Sequence, residues 1–239
     1  MTTVREIWRF PIKSVGGETV DEAMVGLNGI EHDRGWGITD LSTGLTLTAR
    51  REPELLFASA RIVDDAVVVT TPDGTETDDD ATLSSWLGRD VALRAAGPDD
   101  HGTFEISLAE DEQSNWVQWA GGNGSFHDSG NRRITVVSQA SLRDWDQRRF
   151  RINVVTDAAA GAEKDLFEQQ IQVGQCVVDM VKMVDRCVMV TRPQPGGIER
   201  DLDVLKTVNA ELDGDLGVGG TIATPGRIAV GDTITTMNS

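Results

Sequence analysis

The stretch Cys176-Val177-Val178-Asp179-Met180-Val181-Lys182 carries the clearest fold signal in the chain, because Cys176, Val178 and Met180 recur at every second position. A period of two places these three side chains on one face of a β-strand. More short strands are predicted on both sides of it, at residues 4–10, 36–39, 45–48, 57–63, 66–70, 91–94, 134–137, 152–156 and 188–192. Many short strands at close spacing favour a closed sheet, so the predicted fold class is mainly β and barrel-like, with a few short helices.

Turn and cap signals organise these strands. Residues 36–39 and 45–48 are predicted to form one hairpin, and residues 57–63 and 66–70 a second. A short helix is predicted over residues 82–87, ended by Gly88. A second helix is predicted over residues 138–145, with Ser138 as its N-cap. The small and polar residues 96–102 predict a boundary that divides the chain into two domains, 1–97 and 98–239.

Composition excludes several classes of function. The 239 residues carry a formal net charge of −17, and such an acidic surface repels phosphate backbones, so nucleic acid is not an expected partner. The apolar runs are too short to span a bilayer, and residues 1–6 lack the apolar core of a secretory signal. We therefore expect a soluble, cytoplasmic protein that does not associate with a membrane. Two cysteines argue against a disulfide scaffold.

Because positive charge is scarce, basic residues beside hydroxyl or amide groups become candidate anion sites. Lys13 and Ser14 follow the first predicted strand, and a lysine, a hydroxyl and turn amides together can bind phosphate. Arg151 and Asn153 are two residues apart in a predicted strand and therefore share a face. Asp33 and Arg34 belong to the charged run 31–36. From the residues alone, the preferred interpretation of each of these groups is structural, as a surface charge cluster or a salt-bridged corner.

The sequence Asp185-Arg186-Cys187 holds the candidate reactive thiol. A cysteine next to an arginine can have a lowered pKa, and a thiolate is a good ligand for a metal centre. The alternative is an inert buried cysteine, which is the interpretation preferred for Cys176 on its alternating strand. A disulfide between Cys176 and Cys187 fits their spacing but not a reducing compartment.

Taken together and in this order, the segments resemble the MOSC family, which includes the C-terminal domain of molybdenum cofactor sulfurase and the amidoxime reducing components. The first half resembles the β-barrel domain that precedes many MOSC domains, through residues 10–14, 29–36, 48–53 and 86–89. The second half resembles the MOSC domain itself, through residues 127–129, 138–142, 149–153, 186–189 and 225–232.

The resemblance implies a bound molybdenum–molybdopterin cofactor. Cys187 matches the family's metal-ligating cysteine. The residues that match those holding the pterin or its phosphate are Lys13, Ser14, Arg34, Ser138, Arg151, Asn153 and Arg186. Pyridoxal phosphate binding is associated with the family only in general terms, and no residue of this chain is assigned to it.

The activity implied is reduction of a small N-hydroxylated substrate, with Asp185 as a candidate proton relay and electrons from a separate donor protein. The donor must be separate because two cysteines cannot hold an iron–sulfur cluster. The chain departs from many relatives at Asp185, where they have Ser, Thr or Pro, and at Ile152, where they have Pro. Two alternatives remain open: a cofactor carrier or sulfur-transfer module with a persulfide on Cys187, and a β-barrel that binds another small anion.

Overall fold

The computed structural model describes residues 1–109 and 114–237. These residues form mainly short strands, as the sequence predicts. The strands, in chain order, are β1 (Thr2–Arg9), β2 (Glu18–Val20), β3 (Glu22–Gly26), β4 (Gly29–Ile30), β5 (Trp36–Asp40), β6 (Ser59–Val63), β7 (Ala66–Thr70), β8 (Glu76–Thr77), β9 (Val91–Ala95), β10 (Thr103–Ser107), β11 (Trp116–Ala120), β12 (Ile134–Ser138), β13 (Val154–Thr156), β14 (Gln170–Val173), β15 (Cys176–Asp185), β16 (Asp215–Thr224), β17 (Gly226–Ala229) and β18 (Thr233–Thr236).

Helices are few and short. The two α-helices are α1 (Asp80–Leu87) and α2 (Leu202–Glu211), and the 3-10 helices are Pro53–Phe57, Gln139–Leu142, Gln147–Arg149, Ala162–Leu166 and Val188–Thr191. Helix α1 begins where the Asp79 carboxylate accepts a hydrogen bond from the Thr82 amide, and it ends at Gly88 in the left-handed conformation. The predicted helix there is confirmed, together with the physical reason for its end: a left-handed backbone favours glycine.

Seven strands close into a barrel. They are hydrogen-bonded in the order β13-β12-β16-β15-β14-β18-β1, and β1 pairs again with β13 to complete the ring. All neighbours are antiparallel except β12 and β13, which are parallel. The predicted mainly β, barrel-like fold is therefore confirmed, and its first strand comes from the extreme N-terminal end of the described chain.

The alternating strand β15 lies in the barrel wall and faces its core. Cys176, Val178 and Met180 are each no more than 1% exposed, as their period of two predicts. They pack with apolar side chains of the other barrel strands in one cluster. A second apolar cluster lies in the first half of the chain, under α1 and the β6–β7 hairpin, and a third joins β12 and β13 to α2.

The structure corrects three local predictions. Val188–Thr191 is a 3-10 helix, and the strand predicted over residues 188–192 is not formed. Ser138 caps a 3-10 helix of only four residues, not a helix reaching residue 145. Strand β5 pairs with β9, and its contact with residues 45–48 is a single bridge between Thr39 and Thr46. The second hairpin, β6–β7, is confirmed. In the described part of the chain, no helix has both the length and the apolar composition needed to cross a bilayer.

Candidate functional site

A cavity lies where the first half of the chain meets the barrel. It is lined by residues far apart in sequence, including Lys13 after β1, Phe126 before β12 and Cys187 after β15. Eight of the nine residues singled out in the sequence line it: Lys13, Ser14, Arg34, Arg151, Asn153, Asp185, Arg186 and Cys187.

Ser138 is the exception. It is completely buried, its hydroxyl donates to the Ala158 carbonyl, and the same oxygen accepts a hydrogen bond from the Ala140 amide. Its hydroxyl therefore caps the following 3-10 helix and does not reach the cavity.

Lys13 is a buried cation at the cavity wall. Its side chain is 6% exposed and forms an ion pair with Asp128. The ammonium also donates to the Phe126 carbonyl at 3.2 Å and lies 3.8 Å from the centroid of the Phe104 ring. Burial lowers the pKa of Lys13 from its ordinary value, and the attraction of Asp128 acts in the opposite direction. Asp128 itself is largely exposed, so the pair presents a charged edge to the cavity.

Asp33 is the buried carboxylate that orders the site. Its Oδ1 accepts a hydrogen bond from the Phe10 amide at 2.7 Å, and its Oδ2 accepts from the Asn153 amide group at 3.0 Å and from Arg34. Asn153 also donates to the Trp8 carbonyl and accepts from Thr135. All polar atoms of the Asn153 side chain are therefore occupied, and the residue positions the cavity wall.

The guanidinium groups of Arg34 and Arg151 both lie over the aromatic ring of Phe10. Their guanidinium carbons lie 5.0 and 4.4 Å from its centroid. Arg34 donates to the Arg151 carbonyl at 3.0 Å, and Arg151 donates to the Val15 carbonyl at 2.5 Å. Burial and the repulsion of Arg34 lower the pKa of Arg151 to about 9.

Three cavity residues adopt a backbone conformation that L-residues rarely use. Ser14, Arg34 and Arg151 have φ angles of 67°, 51° and 53°. Such strain persists only where the surroundings enforce it, and it is concentrated at functional sites. The prediction that Arg151 and Asn153 share a face of one strand is wrong, because β13 begins only at Val154. Both residues nevertheless line the cavity.

The side chain of Arg186, the residue before Cys187, is held in place by backbone carbonyls. Its guanidinium donates to the Phe150 carbonyl at 2.8 Å and twice to the Leu216 carbonyl, and burial lowers its pKa to about 9. Gly217, which follows Leu216, has a φ of 90°, a conformation that favours glycine, and a Cβ there would lie 3.1 Å from the Val136 carbonyl oxygen.

The two cysteines differ sharply. Both are free, so the disulfide that their spacing allows is not formed. Cys176 is completely buried, and burial raises the pKa of its thiol to about 11. Cys187 is partly exposed, begins a 3-10 helix as its N-cap and lines the cavity. Only the second thiol is therefore placed to meet a ligand from solution.

Asp185 stands at the edge of the cavity and is 64% exposed. Its carboxylate accepts a hydrogen bond from Arg132 at 2.9 Å. The side chain of Arg132 lies across Gly219, where a Cβ would come 2.9 Å from Arg132 Cγ. Arg132 is a site residue that the sequence does not predict. Its position two residues after the glycine-rich segment 120–130 is only a weak indication of a functional role. Asp128, also missed, belongs to the segment 127–129 that carries part of the family resemblance.

His127 is a buried neutral group beside the cavity. Burial, with the repulsion of Arg34, lowers its pKa to about 3. Its Nε2 lies 3.5 Å from the Asp33 carboxylate and makes no hydrogen bond within the described residues.

The cavity is basic in an acidic chain. Two acidic residues line it, Asp128 and Asp185, against six basic ones: Lys13, Arg34, Arg132, Arg149, Arg151 and Arg186. Arg149, Arg151 and Arg186 donate hydrogen bonds to backbone carbonyls, which hold the side chains without cancelling their charge. The arrangement attracts an anion and offers it one thiol.

No cluster of three or more His, Cys, Asp or Glu side chains within residues 1–109 and 114–237 is arranged to hold a metal ion by protein ligands alone. A metal in this cavity would depend on Cys187 together with ligands brought by another molecule.

Two family models match the chain. One, described as the MOSC N-terminal beta barrel domain, matches residues 1–118, and the other, the MOSC domain, matches residues 123–235.

Curated relatives are similar at low identity over most of the chain. Mitochondrial amidoxime reducing component 2 from Bos taurus is 26% identical over 86% of this chain and 71% of its own length. Mitochondrial amidoxime-reducing component 1 from Mus musculus is 23% identical over 97% and 81%. Molybdenum cofactor sulfurase from Drosophila grimshawi is 26% identical over 88% of this chain but 30% of its own length, so the chain spans under a third of that protein. With both domain models matched in order, the chain belongs to the MOSC family of proteins associated with the molybdenum cofactor.

Proposed function

We propose that the chain binds a molybdenum–molybdopterin cofactor in the cavity and reduces N-hydroxylated compounds there. The observation that carries this proposal is the position of the accessible thiol of Cys187 in a cavity lined by six basic and two acidic residues, within a chain of net charge −17. A cofactor with a terminal phosphate and a thiolate-seeking metal has the chemistry that such a cavity selects.

The residues present fit that group. Cys187 would hold the metal through its sulfur. Lys13 and Arg151 would bind the phosphate, since both line the cavity and are held there by hydrogen bonds to backbone carbonyls. The Ser14 hydroxyl makes no hydrogen bond with the described residues and can donate to a phosphate oxygen. Asn153 would act by position, because both donors of its amide are already used. Arg186 is held by three hydrogen bonds and keeps two of its five N–H donors for a ligand.

When bound, the cofactor supplies a redox-active metal centre at which an N–O bond can be reduced by two electrons. The contribution of the chain is to orient that centre and to manage protons beside it. Asp185 is the candidate proton carrier, since it is exposed at the cavity edge and its charge is balanced by Arg132. The electrons are proposed to come from a separate donor protein, and the substrate to be a small molecule. A cytoplasmic location without nucleic-acid or membrane partners is part of the same proposal.

The test begins with metal content. The chain is purified from a host that makes the cofactor, and molybdenum and pterin are measured in the unaltered protein, in Cys187→Ser and in Cys176→Ser. We expect about one molybdenum per chain in the unaltered protein and in Cys176→Ser, and a large loss in Cys187→Ser. Equal molybdenum in all three proteins would remove Cys187 as a metal ligand.

Turnover is then measured on hydroxylamines and amidoximes with an artificial electron donor. Reduction by the molybdenum-loaded protein, lost in Cys187→Ser, is the expected result. Cofactor retention with no turnover on any of these substrates would contradict the reductase proposal.

The second candidate function is a cofactor carrier or sulfur-transfer module, and the similarity to a molybdenum cofactor sulfurase favours it. In that case Cys187 would carry a persulfide. Mass spectrometry distinguishes the two, because a peptide containing Cys187 would gain the mass of one sulfur atom that a reductant removes.

A further inference from the structure

The hairpin formed by β10 and β11 packs against Lys13, a residue that lines the cavity. Phe104 on β10 is directly opposite Trp119 on β11, and side chains directly opposite each other in an antiparallel pair project from the same face. The Phe104 ring lies under the Lys13 ammonium, which lines the cavity. Trp119 therefore projects from the face of the hairpin that is turned towards the cavity.

A hydrogen bond joins Trp119 to Asp128, which lines the cavity. Its indole Nε1 donates to the backbone carbonyl of Asp128 at 3.3 Å, and the Asp128 carboxylate binds Lys13. The indole is thus hydrogen-bonded to the backbone of one member of the charged pair in the cavity wall. Its only hydrogen-bond donor is used on this carbonyl, so what it offers to a ligand is its aromatic face.

Half of the Trp119 surface is open to solvent. Phe104 is 3% exposed, whereas its cross-strand neighbour Trp119 is 50% exposed. A large apolar ring held in place and left half uncovered beside a polar cavity is an arrangement suited to stacking a planar group.

We propose that Trp119 is a stacking platform for the planar, conjugated part of the substrate, so that aromatic N-hydroxylated compounds are bound in preference to saturated ones. This inference rests on the proposed function for the reacting N–OH group, but the stacking itself needs no redox chemistry. Stacking depends on the π-face of the ligand rather than on its hydrogen-bonding groups, so the preference separates ligands of equal polarity by the flatness of their ring.

The test compares two ligands that differ only in the ring. Benzamidoxime and cyclohexanecarboxamidoxime carry the same amidoxime group, one on a planar and one on a saturated ring. Binding to the full-length, cofactor-loaded protein is measured by isothermal titration calorimetry for the unaltered chain, Trp119→Leu and Trp119→Phe. Trp116→Leu is the matched control, since Trp116 is on the same strand but three residues away and therefore faces the other side of the hairpin.

Trp119→Leu is expected to raise the Kd for benzamidoxime about 10-fold, the usual scale for losing one aromatic stacking partner. The Kd for the cyclohexyl compound is expected to change by less than about twofold, since leucine keeps an apolar contact. Trp119→Phe is expected to recover most of the aromatic preference, and Trp116→Leu to retain all of it.

The platform would be overturned if Trp119→Leu weakened both ligands equally, if it changed neither, or if the unaltered protein bound the two compounds alike. If Trp119→Leu does not fold, the test rests on two other measurements: the preference of the unaltered protein for benzamidoxime, and the same preference in Trp119→Phe. Loss of that preference in Trp119→Phe would also overturn the proposal. The reductase proposal fails separately: selective binding of benzamidoxime by a loaded protein that reduces no N-hydroxylated compound would leave the platform standing and remove the activity.

Discussion

The Asp33 carboxylate accepts a hydrogen bond from the side-chain amide of Asn153 at 3.0 Å, although the two residues are 120 positions apart. Both side chains are almost completely buried. Arg34 also binds this carboxylate, so the contact joins the charged run after β4 to the beginning of β13. The contact joins the two walls of the cavity, and we expect its main effect to be on the stability of the fold.

Asn153→Ala is therefore expected to destabilise the protein. It removes hydrogen bonds to Asp33, Trp8 and Thr135 in a buried place, and unsatisfied buried partners cost about 2–4 kcal/mol in unfolding free energy. Urea denaturation followed by circular dichroism measures the change. Asn209→Ala on the exposed face of α2 is the control and should change stability by less than about 0.5 kcal/mol. Equal effects of the two substitutions would contradict the bridging role of Asn153.

The two cysteines are expected to react at very different rates. In the native protein without cofactor, iodoacetamide should modify Cys187 and leave Cys176 unmodified, because Cys176 is buried and its thiol pKa is raised to about 11. Mass spectrometry of the digested protein identifies the labelled peptide. In denaturant both should react. Protection of Cys187 by bound cofactor would tie the cavity to the thiol, and native labelling of Cys176 first would refute the placement of the two residues.

His127 predicts a loss of stability in mild acid. Its pKa is lowered to about 3 in the folded chain and is close to 6.5 when unfolded. Between these values the unfolded chain binds a proton that the folded chain does not, so this group's contribution is complete above pH 6.5 and decreases as the pH falls. The expected slope from this one group is at most about 1.4 kcal/mol per pH unit.

Urea denaturation at pH 7 and pH 5.5 measures this slope. His127→Gln should reduce it, whereas His32→Gln, at a partly exposed position, should leave it unchanged. The same slope in all three proteins would show that His127 is not held neutral by the fold.

Asp185 is expected to weaken anion binding. Asp185→Asn would release Arg132 from its ion pair and make the cavity more positive. We expect inorganic phosphate to bind about 2- to 5-fold more tightly, the range that corresponds to a surface pair worth up to about 1 kcal/mol. Isothermal titration calorimetry at low salt measures the affinity. Asp203→Asn changes the net charge equally but lies on α2, paired with Lys206, and should leave it unaltered. A matching gain in that variant would mean that net charge alone is responsible.

The sequence predicts four of the seven barrel strands, namely β1, β12, β13 and β15, and does not predict β14, β16 and β18. The period of two at Cys176, Val178 and Met180 reports directly which face is buried. Residues 188–192 carry the same kind of apolar run, but periodicity cannot distinguish a strand from a short helix turn over four residues. There the tertiary packing decides, since Val190 is buried in the cluster that contains Val204 of α2.

The cavity residues are also predicted only in part from the sequence. Lys13, Arg34 and Cys187 stand out because they belong to segments with a recognisable order. The side chain of Arg132 lies against Gly219, which has no Cβ to obstruct it. Trp119 is positioned by its pairing with Phe104 on the neighbouring strand. Neither arrangement can be predicted from the local sequence. Ser138 matches a family segment yet is used as a cap, because a small hydroxyl before a turn fits both roles.

Strand β1 has a consequence for how the chain can be divided. The domain limits 1–97 and 98–239 remain a prediction, but β1 fills the gap between β13 and β18 in the barrel. A fragment beginning at residue 98 would have an open sheet with two unsatisfied edges, which invite pairing with other chains. Strand β1 therefore closes the ring, and the strands of the second half form a complete barrel only when residues from the first half are paired with them.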